Sequence, residues 1–384
     1  MTIAANRALT VAVLGTTQTL SWGSSYYLPA ILATPIAEEF GVSRATIFGI
    51  FSISLLLTAL LGPAAGRAID TRGGRDVLAV SNLVFAAGLA LMGLAPGLAP
   101  FCLAWAILGV AMAMGLYDAA FATLAGLYGK EARSSITGIT LIAGFASTVG
   151  WPVSALMDAE WGWRGACLGW AALHVVLGLP LNRLLIPRAP PPERAAAESG
   201  TGGPAPRFAD MALLAFVLAT AGFSASALGA HLPGLLQAAG TTAAAAVLAG
   251  TLLGPAQVGA RILEFTFLRN ISPLVSARIA AAAHPIAVAV LLAGGAPLAM
   301  VFVVIHGAGN GMLTITRGTL PLALFGPAGY GRRQGLITAP ARASQALAPY
   351  FFGLLVDAHG AQSLLLTAGL GLAAVAALFV LRER

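Results

Sequence analysis

The sequence predicts an all-α polytopic membrane protein with 12 transmembrane helices in two pseudo-symmetric six-helix bundles. Three observations predict this fold. Apolar runs of about 18 to 27 residues recur along the chain, and a helix needs that length to cross about 30 Å of hydrocarbon. The basic residues collect in alternate loops, and short sequence patterns recur between the two halves of the chain.

The composition is that of a chain built for lipid. Of its 384 residues, 58% are hydrophobic and 9% are charged, whereas soluble domains carry about 25% charged residues. Glycine accounts for 46 residues, nearly double the average usage of about 7%. Because small side chains let membrane helices approach closely, we expect tightly packed helices.

The apolar runs divide into twelve spans separated by short polar segments. The predicted spans are 8–35, 44–66, 76–96, 99–127, 133–157, 163–185, 210–237, 242–263, 276–294, 297–324, 333–356 and 361–381. Residues 187–208 are rich in Pro, Gly and charged side chains, so they predict a linker without a core. This linker separates an N-terminal bundle, residues 1–186, from a C-terminal bundle, residues 209–384.

The basic residues predict the orientation of the chain. With residue 1 in the cytoplasm, 17 of the 21 Lys and Arg residues are cytoplasmic, Arg44 and Arg164 are external, and Arg317 and Arg342 lie inside spans. This is the positive-inside distribution. It places both termini and the linker in the cytoplasm, as in a bacterial inner membrane protein. Topology thus explains the net charge of +7, and nucleic acid is not an expected partner.

The two halves share short patterns in the same order. The matches have offsets of 204, 192 and 199 residues: 27–32 with 231–236, 60–64 with 252–256, and Asp158 with Asp357. Repeats of this kind are typical of transporters built from two related bundles.

The loop between spans 2 and 3 carries the most specific motif. Residues 66–75 resemble the signature loop of the major facilitator superfamily, which implies a two-lobed secondary transporter. The resemblance depends on Gly66, Asp70, Arg72, Gly73 and Arg75. It implies that these residues take part in the conformational change. Thr71 and Gly74 replace basic residues of that pattern, and Arg72 supplies a charge from the neighbouring position. An ordinary basic loop with a glycine turn is the alternative.

A shorter similarity points to one branch of that superfamily. Tyr128, Arg133 and Gly138 have the spacing of the fifth-span signature of the monocarboxylate and oxalate carriers, although its intervening basic residues are missing. Gly144 and residues 150–152 only approximate the fifth-span pattern of drug-proton antiporters. The branch similarity therefore favours an organic anion over drug export.

Charges inside spans mark candidate functional residues, because a charge at mid-membrane costs at least about 2.5 to 3.5 kcal/mol. Asp118 and Arg317 are 199 residues apart, so they occupy equivalent places in the two halves. We expect an ion pair between them that closes the cytoplasmic side and opens as the lobes rock. Asp118 as a proton-coupling acid, or pairing of each residue within its own lobe, are open alternatives.

Span 10 has a polar stripe on one helical face, which we expect to line water. The stripe consists of His306, Asn310, Thr314, Arg317 and Pro321. The candidate substrate-binding residues are Trp22, Tyr26, Tyr27, His231, Asn310, Arg342 and Gln345. Arg342 has the planar guanidinium that binds a carboxylate or phosphate through two parallel hydrogen bonds. Structural roles are the alternative for Arg342, and also for Tyr27 and His231.

Other sequence features narrow the class of protein. No phosphate-binding loop pattern is present and Lys130 is the sole lysine, so ATP hydrolysis is not expected. No metal, cofactor or cluster of catalytic residues is predicted. Trp161 and Trp163 fall at the external interface, where we expect an aromatic belt.

The predicted function is secondary active transport of a small solute, with an organic anion such as a carboxylate favoured, by alternating access. The alternatives are a proton-coupled efflux pump for hydrophobic or toxic compounds and a membrane sensor or scaffold that moves no solute. The expected partners are a small-molecule substrate, a co-transported proton and the lipid bilayer, and the expected state is a monomer.

Overall fold

The structure is a computed structural model that describes residues 7–128, 132–188, 207–267, 271–325 and 330–382. Within these ranges every regular element is a helix and no β-strand is present. The chain divides into two compact units, Met1–Ala195 and Ala196–Arg384. The all-α prediction is confirmed. The bundle and linker boundaries stay a prediction, because residues 189–206 lie outside the described residues.

The first unit consists of helices that follow the predicted spans 1 to 6. In chain order they are α1 (Arg7–Ser24), α2 (Pro29–Phe40), α3 (Arg44–Arg72), α4 (Gly74–Leu94), α5 (Leu98–Gly115), α6 (Tyr117–Tyr128), α7 (Ala132–Ala143) and α8 (Ala146–Leu173). Two π-helical segments, His174–Gly178 and Leu181–Leu185, extend α8.

Several predicted spans are interrupted. Span 1 is broken between α1 and α2, where Pro29 occupies the first turn of α2, a position that tolerates a missing N–H. Span 4 is broken at Leu116, which has extended backbone angles. Spans 5 and 6 meet inside α8 at Gly162, whose φ is +68°. Glycine has no Cβ to oppose that angle, so it allows the chain to turn there.

The second unit follows the predicted spans 7 to 12. Its described helices are α9 (Phe208–Ala238), α10 (Ala243–Thr251), α11 (Leu253–Phe267), α12 (Pro273–Gly294), α13 (Ala299–Phe325), α14 (Tyr330–His359) and α15 (Leu364–Val380). Short 3-10 turns at Ala296–Leu298 and Gly360–Ser363 precede α13 and α15.

Nine segments of the described chain are long and apolar enough to cross a membrane. Two of them, Gly138–Leu185 and Ile337–Val380, contain 48 and 44 residues, about twice the 20 that one crossing needs. The first is interrupted at Gly162 and the second by the turn Gly360–Ser363, so each provides two crossings. With α1 and α2 as the remaining crossing, the helices are consistent with twelve spans.

The outer surface of the helices is apolar. Leu60, Val176 and Leu184 are each about three-quarters exposed, at 77%, 74% and 75%. A soluble protein rarely exposes apolar side chains of this size in large contiguous patches, whereas hydrocarbon accepts them. The exposed apolar side chains and the segment lengths together define an integral membrane protein.

Polar contacts at the helix ends of the first unit agree with the predicted alternation of loops. The Arg164 guanidinium donates hydrogen bonds to the Glu39 carboxylate at 2.6 Å and to the Gly93 carbonyl oxygen at 3.0 Å. The ends of α2 and α4 therefore lie beside the residues that follow Gly162. The Arg183 guanidinium donates to the Asp76 carboxylate at 3.0 Å, which joins the end of span 6 to the start of α4.

Trp163 does not belong to an aromatic belt, so that prediction is wrong. Its side chain is 5% exposed, and its Nε1 donates to Glu39 Oε2 at 2.6 Å. The Arg164 guanidinium lies 4.3 Å from the Trp163 ring centroid. The contacts with the Glu39 carboxylate and the Arg164 guanidinium hold the Trp163 indole inside the protein. Trp161, which has no such partner in the described contacts, is 65% exposed, as a belt residue requires.

Two glycines allow a close backbone contact between helices of the first unit. A Cβ built on Gly150 of α8 would lie 2.7 Å from the Gly23 Cα of α1, well inside the 3.5 to 4.0 Å of a normal carbon contact. The backbones of α1 and α8 therefore touch at these two residues, so only glycine fits there.

We expect Gly150→Ala to lower stability by about 1 to 3 kcal/mol, because the added methyl group must push α8 away from α1. Thermal unfolding in detergent measures the effect. Gly62→Ala is the matched control, since a Cβ at Gly62 meets nothing within 4 Å and alanine favours the helix. Equal melting temperatures for Gly150→Ala and the wild type would contradict the packing argument.

Glu39 lies outside the membrane-crossing segments, and its carboxylate makes the stability of the fold depend on pH. Hydrogen bonds from Arg164 and then Trp163 lower the pKa of Glu39 below its ordinary value of 4.5. A carboxyl group with a lowered folded-state pKa stabilises the fold above its unfolded pKa, and the contribution is lost as the pH falls through the lowered value. We therefore expect the melting temperature to drop between about pH 5 and pH 3.

The variant Glu39→Gln isolates this contribution. It should melt below the wild type at pH 7 and lose part of the acid-dependent drop, whereas Glu38→Gln, at the exposed neighbouring position, should keep the wild-type profile. Identical profiles for Glu39→Gln and the wild type would show that the contacts of Glu39 with Arg164 and Trp163 do not stabilise the fold.

Candidate functional site

A small cavity lies inside the second unit, between α9, α12, α13 and α15. Its volume is about 30 Å³, enough for about one or two water molecules. The polar side chains in its wall are Thr220, Ser224, His284, His306 and Asn310. The remaining lining residues are apolar or glycine. The cavity suits water or a proton rather than an organic solute.

Two histidines meet at this cavity. The Nδ1 atoms of His284 and His306 are 2.9 Å apart, and the ring centroids are separated by 4.8 Å at an angle of 67°. The two side chains are 7% and 4% exposed. The ring of Phe302 stacks on His306 with a centroid distance of 6.1 Å. The geometry is that of a buried imidazole–imidazole hydrogen bond, in which one ring donates and the other accepts.

Small residues bring these histidines together. A Cβ built on Gly309 of α13 would lie 2.6 Å from the Ala283 Cβ, and one on Gly371 of α15 would lie 2.8 Å from the Pro285 Cγ. Both distances are too short for a real side chain. These glycines let α13 and α15 pack against α12 on either side of His284, which places its ring against His306.

The predicted polar face of span 10 is divided in the structure. His306 and Asn310 line the cavity, and two polar residues that span 7 contributes, Thr220 and Ser224, face them there. Thr314 is exposed, and its Oγ1 accepts a hydrogen bond from Arg261 Nη2 at 3.3 Å. The other two members of the stripe lie beyond the cavity lining, Arg317 half-buried and Pro321 buried. His306 and Asn310 thus share one cavity, and the prediction that the whole stripe lines water stays a prediction.

Three predicted substrate residues lie on α9 and α14 and are not among the described lining residues of the cavity. Arg342 is exposed and Gln345 is half-buried. His231 is buried, and its Nε2 donates to the Pro349 carbonyl oxygen at 2.8 Å. This contact is what a structural role for His231 requires. The substrate roles of all three residues stay predictions.

The predicted aromatic residues of the first unit form a cluster around the break in span 1. The ring centroids of Trp22 and Tyr26 are 5.0 Å apart, and those of Tyr26 and Tyr27 are 5.4 Å apart. All three side chains are half-buried. Sequence reasoning missed Tyr117, whose ring lies 5.1 Å from Trp22.

Further aromatic rings enlarge this cluster. Phe51 and Trp151 lie 5.8 Å from Tyr26 and 5.6 Å from Tyr27, respectively, between ring centroids. Trp151 also donates from Nε1 to the Tyr27 carbonyl oxygen at 3.2 Å. The cluster spans α1, α3, α6 and α8, so it offers partly exposed aromatic surface on a well-supported scaffold.

The two charged residues predicted to gate transport belong to different units. Asp118 is exposed in the first turn of α6, where the free N–H groups of the helix start stabilise an acid. Arg317 is half-buried in α13. The position of Asp118 thus has a local structural reason, and the gating or proton-coupling roles of Asp118 and Arg317 stay predictions.

The signature loop joins α3 to α4. Gly73 has a φ of +85° between the two helices, which favours glycine. Arg72 occupies the last turn of α3, where a cation is favourable. Arg75 Nε lies 3.4 Å from the Asp76 carboxylate, the same acid that Arg183 contacts.

Other residues of the two sequence motifs are only partly described. A Cβ on Gly66 would meet nothing within 4 Å, so packing does not explain that glycine. The side chains of Asp70 and Arg133 lie outside the described residues. The role of the signature loop in conformational change stays a prediction.

The membrane-crossing helices and their division into two units define a polytopic membrane protein of the two-bundle transporter type. Residues 14–294 match the Major Facilitator Superfamily. The chain therefore belongs to the major facilitator superfamily, as its signature loop predicted. Membership points to a membrane transporter of small molecules rather than to an enzyme.

Similar proteins cover nearly the whole chain. An uncharacterised 38 kDa protein in the 23S RNA operon of Thermoproteus tenax is 29% identical over 361 residues, with 91% of this chain and 89% of that protein covered. A bacterial homologue of the human lysosomal transporter Spinster, in an inward-facing and occupied conformation, is 17% identical with a TM-score of 0.72, covering 97% and 96% of the two chains.

Two further solved structures share the fold. The nucleoside transporter NupG is 15% identical with a TM-score of 0.78, covering 98% of this chain and 99% of its own. The human organic anion transporter MFSD10 is 17% identical with a TM-score of 0.67, covering 97% and 99%. At these identities the likeness establishes the fold alone.

Proposed function

We propose that the protein is a secondary active transporter that moves a small organic anion, such as a carboxylate, by rocker-switch alternating access. The observation that carries the proposal is that the residue Arg342 is exposed within the crossing segment Ile337–Val380. An exposed charge there faces either hydrocarbon, at a cost of at least about 2.5 to 3.5 kcal/mol, or water. A water-filled path for solute removes that cost.

Recognition of an anion follows from the chemistry of this helix face. Arg342 and Gln345 are three residues apart in α14, so they lie on the same side of the helix. A guanidinium binds a carboxylate through two parallel hydrogen bonds, and the Gln345 amide adds a donor beside it. Asn310 and His231 are the remaining proposed polar contacts in the second unit. The name of the human organic anion transporter, which shares the fold, agrees with this substrate class.

The aromatic cluster of the first unit provides the proposed contact for the carbon skeleton of the solute. Trp22, Tyr26 and Tyr27 expose part of their rings, and aromatic faces bind flat or apolar groups with little loss of side-chain freedom. In this proposal the solute has one anionic group and an apolar or aromatic body.

Proton-coupled efflux of hydrophobic compounds is the second candidate function, and the same aromatic cluster favours it. An uncharged efflux substrate would bind to Trp22, Tyr26 and Tyr27 and would need no hydrogen bond from Arg342. The two functions therefore differ in whether removal of the guanidinium changes transport.

Replacement of Arg342 tests the proposal. Proteoliposomes are screened with labelled carboxylates, phosphates, nucleosides and neutral hydrophobic compounds, with and without a pH gradient. For a transported anion, Arg342→Gln should raise KM by about 10-fold to 100-fold, the worth of hydrogen bonds to a charged group. Arg342→Lys should recover part of the loss, since it keeps the charge without the planar fork.

Arg382→Gln is the matched control, because it removes an exposed arginine near the end of the described chain. It should leave KM unchanged. Transport of neutral compounds alone, equally fast in the wild type and Arg342→Gln, would reject the anion proposal in favour of efflux.

The proposed gate is the ion pair between Asp118 and Arg317, together with the loop that contains Gly66, Asp70, Arg72, Gly73 and Arg75. The support is the equal offset of the two charged residues within the sequence repeat. In this proposal the pair holds the cytoplasmic side closed and separates when the protein opens inward.

A charge exchange tests the gate. We expect Asp118→Asn and Arg317→Gln each to reduce transport at least about 10-fold, the effect of 1.4 kcal/mol, with normal amounts of protein in the membrane. The double variant Asp118→Arg with Arg317→Asp should restore transport if the two charges pair. Full transport by Asp118→Asn would end the gate proposal, and an inactive double variant would favour Asp118 as a proton-coupling acid.

A further inference from the structure

The hydrogen bond between His284 and His306 constrains the protonation of both rings. A neutral imidazole has one N–H and one lone pair, so a bond between two Nδ1 atoms at 2.9 Å needs Nδ1–H on one ring and a bare Nδ1 on the other. The ring with Nδ1–H then has a bare Nε2, whereas its partner has Nε2–H. The neutral pair therefore always presents one free base at one Nε2 atom.

Burial indicates which ring holds that base. His284 Nε2 is fully buried and has no hydrogen-bond partner among the described residues. A buried N–H without a partner is rarer than a buried acceptor without one, so His284 Nε2 is the bare atom. His284 then donates from Nδ1 to His306 Nδ1, and His306 has its hydrogen on Nε2.

His174, a buried histidine of the first unit, provides a contrast. His174 Nδ1 lies 2.9 Å from Asn82 Oδ1, and its Nε2 lies 2.8 Å from Ser24 Oγ. Both ring nitrogens thus have partners, and the ring also stacks on Phe85 at 4.6 Å. His174 is a satisfied structural residue, whereas His284 Nε2 has no hydrogen-bond partner among the described residues.

No charged side chain is among the described residues that line the cavity. The nearest charges on the packed helices are engaged elsewhere. Arg278 donates to the Leu378 and Leu381 carbonyl oxygens and lies six residues before His284, about 9 Å along the helix. Glu264 accepts from Ser276, about 12 Å before His284 along α12. Arg261 donates to the Gly311 carbonyl oxygen, about 7 Å beyond His306 along α13.

The remaining titratable groups of the packed helices lie farther from the two histidines or on helices that do not line the cavity. On α9, Asp210 lies about 15 Å before Thr220 along the helix, and His231 lies about 10 Å beyond Ser224. On α13, Arg317 lies about 16 Å beyond His306. Helix α14 contributes no described residue to the cavity lining; its described titratable side chains are Arg342, Tyr350, Asp357 and His359. Helices α10 and α15 contain no titratable residue.

We propose that the His284–His306 pair is a proton-binding site, that His284 Nε2 takes the proton, and that this proton is the ion that drives transport. The last part rests on the proposed function as a secondary transporter. The proton adds to the Nε2 lone pair of His284, and its Nδ1–H remains donated to His306 Nδ1. The pair then carries a single positive charge, and no other bond changes.

The pair accepts one proton only. A second proton would have to occupy His306 Nδ1, which would place two N–H groups against each other and break the hydrogen bond. It would also leave two cations with ring centroids 4.8 Å apart in a cavity whose described lining has no counter-charge. One proton per transport cycle is the expected stoichiometry.

Binding of this proton is coupled to conformation by the cost of a buried charge. A cation enclosed without a counter-charge is strongly unfavourable, so the protonated pair favours any state in which the cavity admits more water. A ligand shifts a conformational equilibrium only through such a difference in affinity between states. Thr220, Ser224 and Asn310 provide the polar wall through which water reaches the histidines.

Asparagine variants separate the base from the hydrogen bond. In His284→Asn the side-chain amide replaces Nδ1–H as donor to His306 but has no basic atom. In His306→Asn the amide oxygen replaces the bare Nδ1 as acceptor, and His284 keeps its basic Nε2. His174→Asn is the control for the loss of a buried histidine in a membrane-crossing segment.

The transport experiment uses reconstituted full-length protein and the anion that the substrate screen identifies. Counterflow at equal pH measures exchange of the anion without a gradient, and accumulation under a pH gradient measures coupling. We expect His284→Asn to exchange the anion but to accumulate no more with the gradient than without it. His306→Asn and His174→Asn should still respond to the gradient.

Gradient-driven accumulation by His284→Asn at the wild-type level would overturn the proposal, as would a wild type that exchanges the anion but ignores the gradient. A wild type with no exchange of any compound in the screen would instead count against the proposed function. In that event the site is still tested by nitrogen NMR of protein labelled with ¹⁵N-histidine.

The NMR experiment needs no transport. We expect a scalar coupling between two Nδ1 atoms across the hydrogen bond, and uptake of a single proton by the pair as the pH is lowered while the protein stays folded. The coupling should disappear in both His284→Asn and His306→Asn and persist in His174→Asn. A folded pair that takes up no proton at any pH, or that takes up two, would overturn the proposal.

Discussion

Lipid offers no hydrogen-bond partner, so polar side chains buried in the crossing helices must find partners within the protein. Gln18 Nε2 donates to the Gly115 carbonyl oxygen at 2.7 Å, and Ser54 Oγ to that of Trp105 at 2.8 Å. In the second unit, Ser226 Oγ donates to the Gln345 carbonyl oxygen at 2.7 Å. Each bond satisfies a buried polar group and also joins two helices, so the polar residues of the spans determine which helices lie together.

Such bonds need helices that approach closely, and the glycine-rich composition provides for this. Gly23 and Gly150 let α1 and α8 touch in the first unit, and Gly309 and Gly371 do the same for α12 and its neighbours in the second. The helix contacts at Gly309 and Gly371, which place His284 against His306, are therefore ordinary membrane-helix packing. What makes the place chemically distinct is that two histidine side chains meet there and that His284 Nε2 has no hydrogen-bond partner among the described residues.

The sequence predicts the helices, the family and part of the polar interior, because hydropathy, charge distribution and the signature loop are local patterns. The stripe of span 10 located His306 and Asn310 from spacing alone. His284 was missed because it is a single polar residue in an apolar run, and its partner lies on another helix. The burial of Trp163 was missed for a similar reason, since Glu39 lies 124 residues away in the chain.

The described buried histidines show how the same side chain becomes structural or chemically available. His174 has a partner at each ring nitrogen, and His231 is bonded to the Pro349 carbonyl oxygen. His284 and His306 are bonded to each other, which leaves a basic atom that the fold does not satisfy. Replacing either by an apolar residue would leave its partner's Nδ1 unpaired in a place where lipid and apolar side chains supply no substitute. The pair is therefore stable only as a pair, and its incomplete hydrogen bonding is the chemical feature that sets it apart from the packing around it.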